Sequence, residues 1–93
     1  MFVIAVYDIS TETPGGKKRL PKVMKTFRKY LHHSQKSVFE GEITEAKLLA
    51  LEKEIEKLID KTSDSVVYFK IGNVKNIERI TSGKFFDPNA NII

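Results

Sequence analysis

A lone acidic residue follows the first apolar run of this 93-residue chain. Asp8 comes directly after residues 2–7, a run rich in β-branched and aromatic residues that predicts a central strand covered on both faces. A carboxylate at a strand end can hold a hard divalent cation such as Mg²⁺, or it can cap the turn that follows. One carboxylate holds Mg²⁺ poorly, so a metal site here would need a second copy of Asp8 across the axis of a symmetric dimer.

The basic residues are concentrated in residues 13–36. This segment carries eight basic residues and no acidic ones, whereas the rest of the chain has a net charge of −4. Such a block predicts a surface that binds nucleic acid, and its alternative is a solvated helix face. The cations that we assign to nucleic-acid binding are Lys17, Lys18, Arg19, Lys22 and Arg28.

The histidines and aromatic residues give weaker signals. His32 and His33 are adjacent, so in a strand they point to opposite faces and cannot form a local metal site. We interpret them as polar strand residues, one of them near a phosphate. Tyr7, Phe39 and Tyr68 could stack on bases, although such positions more often belong to the core. The chain has no cysteine, which excludes disulfides, Cys-based zinc sites and a thiol nucleophile.

The elements that must position these residues alternate between strands and helices. Strands are predicted over residues 2–7, 32–35, 37–43 and 65–71, with one more short strand over residues 74–80. After a loop at residues 10–16, apolar residues spaced by three and four predict a helix over residues 20–31, and Thr44 caps a second helix that ends near Asp60. This order predicts a single α+β domain over residues 1–93 with the ferredoxin-like βαββαβ plan and an extra C-terminal strand.

Two helices cover one face of such a sheet, so the other face needs water or a partner. We expect the apolar tail at residues 80–93 to dock on a second protomer. The start of the chain has no basic segment before its apolar run, and that run is too short to span a membrane. These features predict a mature cytoplasmic protein with no membrane partner.

Two motifs, taken together, resemble the CRISPR-associated Cas-two family. They are YDI at residues 7–9 and QKSVFEG at residues 35–41, about one helix apart and followed by Thr44. The resemblance implies a ferredoxin-like homodimer in which the C-terminal strand of one protomer adds to the partner's sheet. It also implies that Asp8 is the catalytic residue and that one Mg²⁺ is shared between the two copies of Asp8. We expect Tyr7, Ser37 and Phe39 to lie near that site.

The resemblance also implies two functions. Members of the family are described as metal-dependent endonucleases acting on single-stranded RNA or double-stranded DNA, and as the central dimer between Cas-one integrase dimers in spacer acquisition. The chain is therefore expected to be a prokaryotic protein of CRISPR adaptation, and its sequence leaves open whether it cleaves. The alternatives are a non-catalytic nucleic-acid-binding scaffold, a toxin-like endoribonuclease of the same fold, and a small-molecule-binding regulatory domain, against which the dense basic block argues.

Overall fold

A computed structural model describes residues 1–83 of the chain as a four-stranded sheet with two helices on one face. Along the chain the elements are β1 (Phe2–Asp8), α1 (Pro14–Arg28), β2 (His32–Gln35), β3 (Val38–Glu42), α2 (Glu45–Leu58), β4 (Ser65–Ile71) and one 3₁₀ turn (Val74–Asn76). The strands lie in the order β2-β3-β1-β4, and every neighbouring pair is antiparallel. This is the predicted ferredoxin-like arrangement.

The core lies between the helices and the sheet face that carries the odd-numbered residues of β1. Val3, Ala5 and Tyr7 are buried on this face, because alternate residues of a strand point to the same side. Phe27 of α1 stacks on Tyr7 and on Phe39, with ring centroids 5.6 and 5.1 Å apart. Tyr7 and Phe39 are therefore core residues, and their rings are not available for stacking on bases.

Helix α1 begins at Pro14, well before the predicted start at Leu20. The prediction of a loop over residues 10–16 is therefore wrong for its second half. Thr13 caps the helix, since its hydroxyl accepts a hydrogen bond of 3.1 Å from the Gly16 N–H, and proline suits the first position because it has no N–H to leave unpaired. Gly16 is required, because a Cβ atom there would lie 1.6 Å from the carbonyl oxygen of Ser10.

Within residues 1–83 the second face of the sheet carries no helix, and β1 is covered there only in part, because Phe2 is buried on this face and Val6 is exposed. Val6, Val67 and Phe69 are 36%, 49% and 52% exposed there, and we call these three residues the open sheet face. Val6 and Val67 are register partners in the β1–β4 pair. Elsewhere on this side of the sheet, the buried carboxylate of Glu40 pairs with Arg79, which follows β4 in the chain.

The prediction of a strand over residues 74–80 is also wrong. The chain forms a single 3₁₀ turn there, because the Asn73 side chain accepts a hydrogen bond of 2.9 Å from the Lys75 N–H and favours a turn over an extended chain. The predicted C-terminal strand and docking tail fall mainly on residues 84–93, which lie outside the described residues. Neither α1 nor α2, the two α-helices of residues 1–83, is long and apolar enough to cross a membrane.

Candidate functional site

Asp8 is the last residue of β1 and is the register partner of Ser65 on β4. It is an even-numbered residue of the strand, so it lies on the same side as Val6, away from the helices. Its side chain is exposed, and within residues 1–83 it makes no hydrogen bond or ion pair. The carboxylate is therefore open to a cation from solution.

A groove of about 350 Å³ opens beside Asp8, between α1 and the turn that joins β2 to β3. Apolar side chains of α1 form one wall, and the end of β1 and the turn form the other. The groove is lined by Tyr7, Asp8, Ile9, Leu20, Met24, His33, Lys36 and Ser37. It thus brings together three residues that were predicted for one site, namely Tyr7, Asp8 and Ser37.

Two hydrogen bonds from Tyr7 hold the β2–β3 turn against the end of β1. The Tyr7 hydroxyl donates to the carbonyl oxygen of Lys36 at 2.8 Å, and the Tyr7 N–H donates to that of Ser37 at 3.0 Å. Nε2 of His33 lies 3.3 Å from the same Lys36 oxygen, and the His33 ring stacks on Phe39 with centroids 4.6 Å apart. Phe39 is fully buried, so it supports the groove from beneath.

Lys36 was not among the predicted site residues. The signal was present, because Lys36 belongs to the QKSVFEG motif and to the basic segment. One of the two adjacent histidines was expected near a phosphate, and the structure places His33 in the groove wall.

Five cations lie on the exposed side of α1 and make no ion pair within residues 1–83. We call them the α1 basic face: Lys17, Lys18, Lys22, Lys25 and Arg28. Helical spacing places them on the side opposite the buried Val23 and Phe27. The positive charge of Arg28 also reaches the groove: burial raises the pKa of Tyr7, and Arg28 offsets part of that rise.

Arg19 is placed elsewhere, beside the buried Asp64. Its guanidinium donates from Nε to Asp64 Oδ2 at 2.8 Å, and the backbone N–H groups of Ser10 and Asp60 donate to the same carboxylate, each at 2.9 Å. Burial acts to raise the pKa of Asp64, but the hydrogen bonds from Arg19, Asp60 and Ser10 outweigh it and the pKa is lowered. This cluster ties α1 and the loop after β1 to the turn before β4.

A metal ion would find few ligands within one chain. Residues 1–83 contain no group of three His, Asp or Glu side chains placed to hold an ion. Among the described residues, Asp8 is the one acidic residue that lines the groove. Mg²⁺ prefers oxygen ligands and keeps several waters, so one chain supplies part of a donor set for this ion.

The protein therefore has a ferredoxin-like fold. One of its helices is cationic and lies beside a groove at the end of a strand. A sequence model described as CRISPR associated protein Cas2 matches residues 1–78. CRISPR-associated endoribonuclease Cas2 2 of Moorella thermoacetica is 43% identical over 91 residues, which cover 98% of this chain and 100% of that protein. CRISPR-associated endonuclease Cas2 of Halalkalibacterium halodurans is 40% identical over 73 residues, with coverage of 78% and 76%.

Solved structures give the same result. The crystal structure of Streptococcus pyogenes Cas2 at pH 6.5 matches with a TM-score of 0.74 and 34% identity, covering 87% of this chain and 100% of that one. A second crystal structure, described as cas2, matches with a TM-score of 0.80 and 33% identity, covering 100% and 98%. This chain belongs to the CRISPR-associated Cas2 family, the Cas-two family that the two motifs indicated.

Proposed function

We propose that this protein binds nucleic acid through the α1 basic face and cleaves phosphodiester bonds beside Asp8, as a CRISPR-associated endonuclease. The α1 basic face carries the proposal, because it presents five cations without ion-pair partners within residues 1–83. Lysine and arginine contact phosphates without reading bases, so single-stranded RNA and double-stranded DNA are both candidate substrates. The names of the M. thermoacetica and H. halodurans relatives, an endoribonuclease and an endonuclease, support cleavage.

The active unit in this proposal is a homodimer. The open sheet face leaves Val6, Val67 and Phe69 in contact with water, and apolar surface of this kind favours pairing with a second copy. Asp8 ends β1 on the same side of the sheet, so symmetric pairing would bring the two copies of Asp8 toward each other. A solution mass twice the 10.6 kDa of one chain would support this arrangement, and a mass of one chain would contradict it.

The two copies of Asp8 would together hold one Mg²⁺, which fits a donor set of two carboxylates completed by water. When bound, the ion supplies positive charge at the phosphate and lowers the pKa of a water molecule. The residues of the chain perform the other tasks. The α1 basic face neutralises neighbouring phosphates and sets the path of the strand, and the groove receives the nucleotide beside Asp8.

The test compares Asp8→Asn with Glu12→Gln on labelled single-stranded RNA and duplex DNA in the presence of Mg²⁺. Glu12 is an exposed carboxylate near Asp8 in the chain, and it has no ion pair within residues 1–83. We expect Asp8→Asn to slow cleavage by at least about 100-fold, Glu12→Gln to leave it unchanged, and removal of Mg²⁺ with EDTA to abolish it. Cleavage by Asp8→Asn at the wild-type rate would contradict the catalytic proposal.

A second candidate is a scaffold in spacer acquisition that binds duplex DNA between Cas-one integrase dimers without cutting it. One observation favours it: the five cations of the α1 basic face, which are unpaired within residues 1–83, suit contact with a duplex backbone. Tight duplex binding, co-purification with the integrase and no cleavage by the wild-type protein would favour the scaffold. Growth arrest on expression without binding to the integrase would favour the toxin-like alternative.

A further inference from the structure

Lys36 lines the groove beside Asp8, whereas the α1 basic face lies along the outside of its helix. The Lys36 side chain makes no ion pair within residues 1–83, although Asp8 is also among the residues that line the groove. One acidic and one basic residue therefore border the groove without forming an ion pair with each other. The presence of both residues at one site is complementary to a phosphate that carries a bound cation on one side.

The backbone of Lys36 is held more firmly than a surface turn usually is. Its carbonyl oxygen lies 2.8 Å from the Tyr7 hydroxyl and 3.3 Å from Nε2 of His33. Tyr7 is only 4% exposed, and its ring packs against Phe27 and Phe39. A cation whose backbone is fixed by buried groups loses less conformational freedom when it binds a ligand.

We propose that Lys36 binds one phosphate of the nucleic acid inside the groove, and that the Tyr7 hydroxyl is a positioning group that holds the Lys36 carbonyl in place. The inference rests on the proposed function, because it assumes a nucleic-acid ligand. It deepens that function by giving the two cationic elements different tasks. The α1 basic face spreads charge along the backbone, and Lys36 contacts the phosphate nearest to Asp8.

The experiment compares Lys36→Met with Lys47→Met, using labelled single-stranded RNA and duplex DNA in EDTA so that no divalent ion contributes. Lys47 is an exposed lysine of α2 without an ion pair within residues 1–83, so both variants remove the same charge. We expect Lys36→Met to weaken binding about tenfold and to reduce the slope of log K against log salt by about one. Lys47→Met should bind within about twofold of the wild type.

The positioning role is tested by a double-mutant cycle with Tyr7→Phe. This variant should weaken binding about threefold in the wild-type background and leave the affinity of Lys36→Met unchanged, because the hydroxyl acts through Lys36. Tyr30→Phe is the matched control, since its hydroxyl bonds Glu54 instead of the β2–β3 turn. A purely structural loss would lower the affinity equally in both backgrounds, and that result would overturn the positioning role.

The outcomes separate this inference from the proposed function. Wild-type protein that binds neither nucleic acid would overturn both. Wild-type protein that binds with a clear salt dependence, together with Lys36→Met that binds equally well, would overturn the assignment of Lys36 and leave the proposed function standing. Equal losses in Lys36→Met and Lys47→Met would also overturn it, because general charge would then explain the effect.

Discussion

Helices α1 and α2 cover the same face of the same sheet, and both begin with a threonine cap, yet their exposed sides differ. Helix α1 carries six basic residues and no acidic ones, whereas α2 mixes four acidic residues with three basic ones. Three acidic residues of α2 form ion pairs: Glu54 pairs with Lys29, Glu56 with Lys61 at 2.8 Å, and Glu45 with Lys70 at 2.9 Å. The α1 basic face has no such partners within residues 1–83.

The difference indicates what each helix is for. Like charges three and four residues apart, such as Lys18 and Lys22, repel each other and cost about 0.2–0.5 kcal/mol per pair in an isolated helix. Helix α2 also has like charges four residues apart, such as Glu52 and Glu56, but opposite charges lie beside them, such as Lys53 three residues before Glu56. In helix α1 this repulsion extends along the whole exposed side, because no acidic residue lies among the cations. A polyanion that binds there would remove the repulsion. We therefore expect the ligand to bind at α1, and α2 to have a structural role.

Charge reversal on each helix in turn is the strongest test of the difference between α1 and α2. We expect Lys22→Glu combined with Lys25→Glu to weaken nucleic-acid binding on the order of 100-fold or more at low salt, since two phosphate contacts become repulsive. The matched pair on α2, Lys53→Glu with Lys57→Glu, should change affinity only a few-fold. Fluorescence anisotropy at a fixed salt concentration measures both. Equal losses from the two helices would contradict the division of roles.

A second difference between the helices should appear in the free energy of unfolding. The buried ion pair of α1 should contribute to it, and the exposed ion pairs of α2 should not. Asp64→Asn should lower the free energy of unfolding by about 2 kcal/mol at pH 7, because Arg19 and two backbone N–H groups lose a charged acceptor. Lys61→Met removes an exposed partner of Glu56 and should leave stability unchanged. Urea unfolding measures both variants. An Asp64→Asn protein with the same free energy of unfolding as the wild type would contradict the anchoring role of this cluster.

The difference in unfolding free energy between the wild type and Asp64→Asn should depend on pH, and the direction follows from the pKa shift of Asp64. The pKa of Asp64 is lowered in the folded protein, so its stabilisation is present above the pKa of an unfolded aspartate and is lost as the pH falls through the folded value. The gap between wild type and Asp64→Asn should therefore narrow below about pH 4. A gap that stays constant down to pH 2 would show that the charge of Asp64 is not its source.

Much of the fold could be predicted because local signals agree with the tertiary structure. The Thr44 cap and the regular apolar spacing located α2, and β-branched residues located β4. The start of α1 could not be predicted in the same way, because Pro14, Gly15 and Gly16 together are typical of loops. Their helical state depends on the close packing of Gly16 against Ser10, a contact that no local pattern reveals.

In the candidate site, too, local features could be predicted from the sequence, whereas contacts between distant residues could not. Asp8 could be proposed as a candidate because it follows an apolar run directly. The bond from Tyr7 to Lys36 joins residues far apart in the sequence, as does the pairing of Arg19 with Asp64. Composition could count the cations of α1, but it could not separate the cation that stabilises the fold from the five that face solvent.

The central claim is that α1 is a phosphate-binding surface, and the salt dependence of wild-type binding tests it most directly. The measurement is the affinity for a labelled duplex DNA over a series of salt concentrations in EDTA. If roughly six cations of a homodimer contact phosphates, log K should fall against log salt with a slope near −5. A slope near zero would contradict the account, because the α1 basic face would then make no contact with the backbone.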